Sequence, residues 1–141
     1  MPTRTADAQW DGLLKDGTGT MRFGSGAFEG RYSFSSRFEQ GTGTNPEELI
    51  AAAAAGCFSM ALSGALGGAG FGVERVRTSA DVRIEKDAGG FTITGISLHC
   101  EAVVPGIEGD EFARIAEDTK GTCPVSRLLT GAPITLEAKL A

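Results

Sequence analysis

Residues 44–68, "TNPEELIAAAAAGCFSMALSGALGG", decide the fold, because they carry the signals of one long helix. Thr44 or Asn45 is typical of an N-cap, Pro46 suits the first helical turn, and the two glutamates that follow favour the positive end of the helix dipole. The apolar run continues to about Leu66, and two glycines then end it. Alanine and glycine dominate this segment, so neighbouring elements can approach its backbone closely. We therefore expect a central, buried helix.

The chain before this helix is expected to form strands. The segments "AQWDGLLK" and "TGTMRF" predict a hairpin around Asp16 and Gly17, which supply the turn chemistry. Residues 31–38 alternate in character, with three aromatic side chains on one face and arginines and serines on the other. That alternation predicts a further strand, in which Arg37 lies opposite the aromatic face.

The chain after this helix is expected to alternate strands with helices. A change of hydrophobic parity at Gly95 predicts a β-bulge in one of the strands. The order of elements predicts one α+β domain over residues 1–141. The expected strands cover residues 73–86, 91–105 and 133–140, and the expected helices cover residues 108–120 and a short segment that begins at Pro124.

Composition and charge exclude several classes of partner. Eighteen acidic and thirteen basic residues give a net charge of −5. This balance argues against nucleic acid and against an anionic membrane surface. The first residues lack the pattern of a signal peptide, and the apolar stretch 49–66 is interrupted by glycine and serine, so we expect a cytoplasmic location and no membrane span. Three cysteines, an odd number, do not suit a secreted disulfide scaffold.

Cys57 and Cys123 are the two candidates for a reactive thiol, and their positions differ. Cys57 lies in the middle of the long helix, where the dipole gives it little help, and core packing is one interpretation of it. Cys123 precedes Pro124 at the predicted start of a helix, where backbone N–H groups can stabilise a thiolate. By position, Cys123 is therefore the better nucleophile, although it could equally be a cap that happens to be sulfur. The two thiols form a pair only if the fold brings these helices together.

The third cysteine and the single histidine are expected to be structural. Cys100 shares its strand parity with Leu98 and Ala102, which predicts a place in the core. His99 points to the opposite face and is expected to be exposed. A metal site would require all three cysteines and His99 to converge, and the pairwise spacings of zinc sites are absent.

Arg37 and Glu47 have both ordinary and functional interpretations. Arg37 is a plausible exposed strand charge, and Glu47 suits the helix dipole. Glu47 and Cys57 are ten residues apart on the helix, which corresponds to about 15 Å along its axis, so they cannot touch. A long arginine held by Glu47 in a bidentate pair could bridge that distance.

Three segments of the sequence resemble those of a known family. The segments "RFEQGTGTNPEELIAAAAAGCFSMAL", "DVRIEKDAGGFTITGISLHCEAVVPGI" and "TCPVS" are similar to those of the OsmC/Ohr family of organic hydroperoxide peroxidases, and the resemblance extends from about Ala8 to Leu140. The position of "RFE" directly before the long helix favours the OsmC branch. Cys100 lies outside the cysteine motifs of the family. The glycine-rich loop "GSGAFEGRYSF" matches only loosely.

The resemblance implies a fold, an activity and a set of site residues. The implied fold has antiparallel sheets wrapped around a central buried helix that carries a cysteine, in an intertwined homodimer. The implied activity is thiol-dependent reduction of organic hydroperoxides and, less efficiently, of hydrogen peroxide, in defence against oxidative or osmotic stress. No bound cofactor is implied, and the reductant is an external dithiol, possibly of the lipoyl type. Cys57 would be peroxidatic and Cys123 resolving, while Arg37 would activate thiolate and peroxide and Glu47 would position Arg37.

Two other hypotheses fit the same residues. The domain could be a redox sensor that is oxidised once and does not turn over, although no basic DNA-reading helix is apparent. It could also be a structural domain in which Cys57 and Cys123 are core residues. Steady-state turnover with a dithiol distinguishes the enzyme from both.

Overall fold

The computed structural model describes residues 1–141 and divides them into two compact units, Met1–Leu49 and Ile50–Ala141. The first unit contains three strands and a short helix. A long helix begins in the first unit and continues into the second, which holds the remaining elements. The prediction of a single domain over residues 1–141 stays a prediction. The elements are β1 (Ala6–Asp11), β2 (Thr18–Phe23), β3 (Glu29–Tyr32), α1 (Phe34–Phe38), α2 (Pro46–Gly68), β4 (Arg75–Asp87), β5 (Gly90–Val103), α3 (Gly109–Thr122), α4 (Pro124–Leu128) and β6 (Ile134–Leu140).

The first unit is built on an antiparallel sheet of three strands in the order β1-β2-β3. Asp11 of β1 pairs with Thr18 of β2, so the predicted hairpin is confirmed. Gly19 of β2 is buried beneath a contact between the rings of Trp10 and Tyr32, whose centroids are 5.4 Å apart. A Cβ atom on Gly19 would collide with both rings, which explains the glycine at this position.

The predicted strand over residues 31–38 is wrong beyond Tyr32, because Phe34–Phe38 form helix α1. Ser33 caps this helix, since its side chain accepts from the Ser36 N–H while the Ser36 hydroxyl accepts from the Ser33 N–H. The aromatic residues Phe34 and Phe38 are four apart, a spacing that fits a helix as well as a strand, and their ring centroids lie 5.0 Å apart. The capping serines therefore decide the structure here.

The second unit is built on a mixed sheet in the order β4-β5-β6. Strands β4 and β5 are antiparallel, but β6 is parallel to β5, so the prediction of antiparallel sheets is corrected for this pair. The physical reason is the connection, because two helices separate β5 from β6 and return the chain to the end where β5 began. The predicted bulge is confirmed at Thr94, which has no partner between the pairs Arg83–Gly95 and Ile84–Ile93.

Helix α2 buries one stripe of its surface in the core of the second unit. The buried side chains on this stripe recur every four residues and face those of β5 and α3. Cys100 is 3% exposed in this core, as its strand parity predicts. The core residues are Ala54, Phe58, Leu62 and Leu66 of α2, Ile96, Leu98, Cys100 and Ala102 of β5, and Phe112, Ile115 and Ala116 of α3.

The remaining surface of α2 is open in the single chain. Met60 is 81% exposed, and only 22% of the most apolar 18-residue window of α2 is buried. By length and composition alone, α2 is long and apolar enough to span a membrane. This is weak evidence for a membrane span, because the core helices of soluble proteins have the same length and composition. A helix enclosed on all sides therefore stays a prediction, which would require a further partner for this surface.

Candidate active site

Cys57 and Cys123 lie beside each other in the second unit. Cys57 is half-buried on α2, next to the fully buried Phe58. Its sulfur accepts a hydrogen bond from the backbone N–H of Val125 in α4, with an N–S distance of 3.5 Å. Cys123 is close enough to form a thiol hydrogen bond with Cys57. The fold thus brings together two thiols that are 66 residues apart in the sequence.

Cys123 is the deeper of the two thiols. It is 1% exposed, and its thiol donates to the hydroxyl oxygen of Ser126 at 3.0 Å. As predicted, Cys123 is the N-cap residue of α4 and Pro124 occupies the first turn. Its side chain, however, makes no capping hydrogen bond. An N-cap side chain ordinarily accepts a hydrogen bond from an N–H in the first turn of its helix, such as that of Val125. Here the Val125 N–H donates to the sulfur of Cys57 instead. The position of Cys123 therefore directs a helix N–H to the other cysteine.

The surroundings of Cys57 act on its pKa in opposite directions. Burial raises the pKa of the thiol above its ordinary value, the Val125 N–H lowers it, and the hydrogen bond and charge of Cys123 raise it. The net effect is a raised pKa of Cys57, because the loss of hydration and the effect of Cys123 together outweigh the hydrogen bond from the Val125 amide. A thiolate at Cys57 thus needs a further positive group near neutral pH.

Arg37 and Glu47 form a tight ion pair in the first unit. The Nη2 atom of Arg37 lies 2.8 Å from Oε1 of Glu47, and its Nε atom lies 3.2 Å from Oε1 and 3.3 Å from Oε2. Glu47 is 6% exposed, whereas the side chain of Arg37 is 37% exposed. The guanidinium also stacks on Phe38, with 5.1 Å between Cζ and the ring centroid. Because this pairing uses Nε and Nη2, Nη1 remains outside it and can address another group.

Arg37 also borders an apolar cavity of about 500 Å³ within the first unit. Arg37 is the one charged side chain on its wall, and the rest is mostly aromatic or leucine. The side chains of Leu13 and Leu14 border the cavity but remain largely exposed to solvent, at 78% and 63%. The apolar lining consists of Trp10, Leu13, Leu14, Tyr32, Phe34 and Phe38.

Cys100 and His99 interact with residues other than Cys57 and Cys123. Burial raises the pKa of the Cys100 thiol, and a hydrogen bond with Thr78 lowers it by less. His99 is exposed, as predicted, and its two ring nitrogens lie 3.2 Å from a carboxylate oxygen of Asp81 and 3.5 Å from one of Glu137. The residues of the hypothetical metal site thus divide between the core and the outer face of the sheet.

Some site residues have weak signals in the sequence. The Val125 amide contributes through its backbone, so its side chain gives no indication of its contact with Cys57. Ser126, which pairs with Cys123, resembles an ordinary helix residue. The sequence indicates Asn45 only as a helix cap, although its side-chain amide also reaches the backbone of α1. The "CPVS" sequence correctly predicts Cys123 as the N-cap of α4. It does not predict that the Val125 N–H donates to Cys57.

Replacing Cys123 with alanine is expected to lower the pKa of Cys57, because the hydrogen bond and charge that raise it are removed. The midpoint of the pH dependence of Cys57 alkylation by iodoacetamide should shift to lower pH, so alkylation at pH 8 becomes faster. The measurement compares Cys100→Ser with Cys100→Ser/Cys123→Ala and identifies the alkylated peptide by mass. An unchanged or higher midpoint in the double variant would contradict the proximity of the two thiols.

Comparisons with known proteins agree with the motifs and the fold. The family model "OsmC-like protein" matches residues 39–139. The protein named peroxiredoxin OsmC from Escherichia coli K12 is 48% identical over 138 residues, which cover 97% of this chain and 96% of that protein, and its namesake from Shigella flexneri matches equally. The solved structure of the organic hydroperoxide resistance protein OhrB of Bacillus subtilis is similar, with a TM-score of 0.74, 25% identity, and coverage of 96% of this chain and 98% of that one. An OsmC-like protein from Mycoplasma pneumoniae shares the fold at 16% identity, with a TM-score of 0.76 and coverage of 99% and 98%. The chain therefore belongs to the OsmC-like family.

Proposed function

We propose that this chain is a thiol-dependent peroxidase that reduces organic hydroperoxides and, less efficiently, hydrogen peroxide, in oxidative or osmotic stress defence. As a member of the OsmC-like family, 48% identical to proteins named peroxiredoxin OsmC, it is a cysteine-based peroxidase. The observation that carries the finer proposal is the contact between a half-exposed Cys57 and a buried Cys123. The accessible thiol can meet a peroxide, while the deeper one is placed to resolve it.

In the first step, the Cys57 thiolate attacks one oxygen of the peroxide bond. The S–O bond forms as the O–O bond breaks, so that sulfur is oxidised to a sulfenic acid and the leaving alkoxide takes a proton to become an alcohol. The Val125 N–H supports the thiolate by donating to the sulfur. Because burial raises the pKa of Cys57, this amide alone leaves too little thiolate at neutral pH.

Arg37 supplies the missing positive charge, in its own chain or in the partner's. A guanidinium favours the thiolate and stabilises negative charge on the departing alkoxide oxygen. The buried carboxylate of Glu47 holds Nε and Nη2 of Arg37, and Nη1 stays outside the ion pair. The two residues thus form one unit, in which Glu47 orients and Arg37 acts.

In the second step, Cys123 attacks the Cys57 sulfenic sulfur, and a disulfide forms with release of water. An external dithiol, possibly of the lipoyl type, then attacks this disulfide and leaves as a cyclic disulfide with both cysteines reduced. Two electrons pass from the dithiol to the peroxide in each cycle. No bound cofactor is needed for any of these steps.

The apolar cavity beside Arg37 supports the preference for organic over inorganic peroxides. Its volume of about 500 Å³ falls within the range of small-molecule sites, and its aromatic and leucine walls suit an alkyl or aryl group. Hydrogen peroxide has no such group and gains nothing from these walls. The single charge on the lining, Arg37, would then face the polar peroxide end of the substrate.

The open surface of α2 supports a homodimer. An alanine- and glycine-rich helix with Met60 exposed presents small apolar side chains that a second copy of the chain can cover. We propose that each copy in this dimer forms one domain over residues 1–141. We also propose that the dimer is located in the cytoplasm. Sedimentation equilibrium tests the dimer directly, and a single-chain mass at micromolar concentration would contradict it.

Serine substitutions separate the roles of the cysteines. With cumene hydroperoxide and a dithiol in excess, Cys57→Ser should abolish turnover, because the attacking sulfur is lost. In a separate reaction without dithiol, Cys123→Ser should consume one equivalent of peroxide and leave a sulfenic acid at Cys57 that dimedone traps, with no disulfide. Cys100→Ser serves as the matched control and should retain the turnover of the unaltered protein. Full activity of Cys57→Ser would reject the mechanism, and a single oxidation without turnover in the unaltered protein would favour a sensor.

Polar substitutions in the cavity wall should change substrate preference. Leu13→Ser/Leu14→Ser is expected to raise KM for cumene hydroperoxide by about tenfold, since full burial of one leucine contributes roughly 1.5–3 kcal/mol and tenfold corresponds to ~1.4 kcal/mol. The rate with hydrogen peroxide should stay the same, which serves as the control for folding. Both residues are exposed, so stability should change little. Equal losses with both peroxides would argue that this cavity does not bind the substrate.

A further inference from the structure

We propose that Asn45 is a positioning residue for Arg37, beyond its ordinary function as a helix cap. The inference rests on the proposed role of Arg37, and its geometry lies wholly within the first unit. The side-chain amide of Asn45 connects helix α1, which carries Arg37, to the first turn of α2, which carries Glu47. The connection sets the ion pair before any substrate arrives.

Helix α1 is too short to hold Arg37 in place by itself. It has five residues, and an isolated helix of this length is unstable in water because nucleation is costly. Its N-terminus is fixed by the reciprocal bonds of Ser33 and Ser36. These bonds preserve the helical turn but do not determine where α1 lies relative to α2. That placement needs bonds between the two helices.

Asn45 makes one bond to the backbone of each helix. Its Nδ2 atom donates to the backbone oxygen of Ser36 at 3.0 Å, and this carbonyl belongs to the peptide group that precedes Arg37. Its Oδ1 atom accepts from the backbone N–H of Glu48 at 2.7 Å, and this N–H belongs to the peptide group that follows Glu47. One planar amide therefore fixes the peptide groups that flank both members of the pair.

A second bond supports the same arrangement. The buried Ser36 hydroxyl donates to the backbone oxygen of Thr44 at 2.8 Å, so α1 is also joined to the residue before Asn45. The bend between them is made by Gly43, whose φ of +121° favours glycine. The Asn45 link is the one that can be tested cleanly, because its two functions reside on different atoms.

Conservative substitutions separate these two functions. Aspartate and serine both retain an oxygen that caps α2. Aspartate has no donor for the Ser36 carbonyl, and the serine hydroxyl, on a shorter side chain, does not reach that carbonyl while it caps α2. A residue needed only as a cap would tolerate either change. A residue that positions Arg37 would not, because α1 would lose its bond to the start of α2.

The test measures kcat/KM for cumene hydroperoxide in Asn45→Ser and Asn45→Asp, with and without Arg37→Met. We expect each single Asn45 substitution to lower kcat/KM by about tenfold, as small misplacements of a catalytic group do, while Tm stays close to that of the unaltered protein. In the Arg37→Met background the same substitutions should cause no further loss, because Asn45 acts through Arg37. Undiminished kcat/KM in both single variants, or equal losses in both backgrounds, would overturn the proposal.

A second readout does not depend on peroxidase activity. The Nε–H proton of Arg37, assigned by its disappearance in Arg37→Lys, should be protected from hydrogen exchange by its bonds to Glu47. Asn45→Ser should accelerate this exchange about tenfold if the ion pair loosens. An unaltered protein without turnover would reject the proposed function alone, whereas an unchanged exchange rate in Asn45→Ser would reject the role of Asn45.

Discussion

The burial of the α2 stripe against β5 is the constraint on which the thiol pair depends. Phe58 and Leu62 are fully buried on this stripe, and each such side chain contributes roughly 1.5–3 kcal/mol by its removal from water. Successive helical residues are rotated by about 100°, so fixing Phe58 in the core also fixes the direction of its neighbour Cys57. The thiol is thereby held at the border of the core, half-buried and facing α4. A rotation of α2 that exposed it would also expose Phe58.

The junction of α3 and α4 completes the thiol pair. Cys123 ends one helix and caps the next, and Pro124 has no N–H to donate, so the N–H of Val125 is the one that meets Cys57. The same junction places the Cys123 thiol within reach of Cys57 and against Ser126. Attack and resolution would therefore occur at one helix end.

In the first unit, Glu47 fixes the orientation of Arg37, because its buried carboxylate holds the half-exposed guanidinium in one direction.

The sequence predicts most of the fold because its signals are local. The N-cap at Asn45, the proline at the start of α4 and the parity change at Gly95 each specify an element through short-range chemistry, and all three agree with the structure. Residues 34–38 are the exception, since aromatic residues four apart fit both a strand and a helix, and a serine capping box decides between them. The parallel pairing of β6 depends on a crossover connection, which periodicity does not encode.

The candidate site is predictable only in part. The resemblance indicates Cys57, Cys123, Arg37 and Glu47 as candidate site residues. The contact of the Val125 N–H is made by the backbone, so the identity of the side chain does not reveal it. Positional reasoning favours Cys123 as the nucleophile, because it assumes that a cap residue uses the helix N–H groups itself. In the structure that N–H is turned toward Cys57, and this direction follows from packing between segments far apart in the chain.

In the proposed mechanism, Cys57 and Cys123 form a peroxide-driven redox pair. The most direct measurement adds one equivalent of cumene hydroperoxide to the fully reduced protein, counts the remaining free thiols and maps any disulfide by peptide mass. We predict the loss of two thiols and a single Cys57–Cys123 link, with Cys100 still reduced. Three remaining thiols, or a disulfide that includes Cys100, would contradict it.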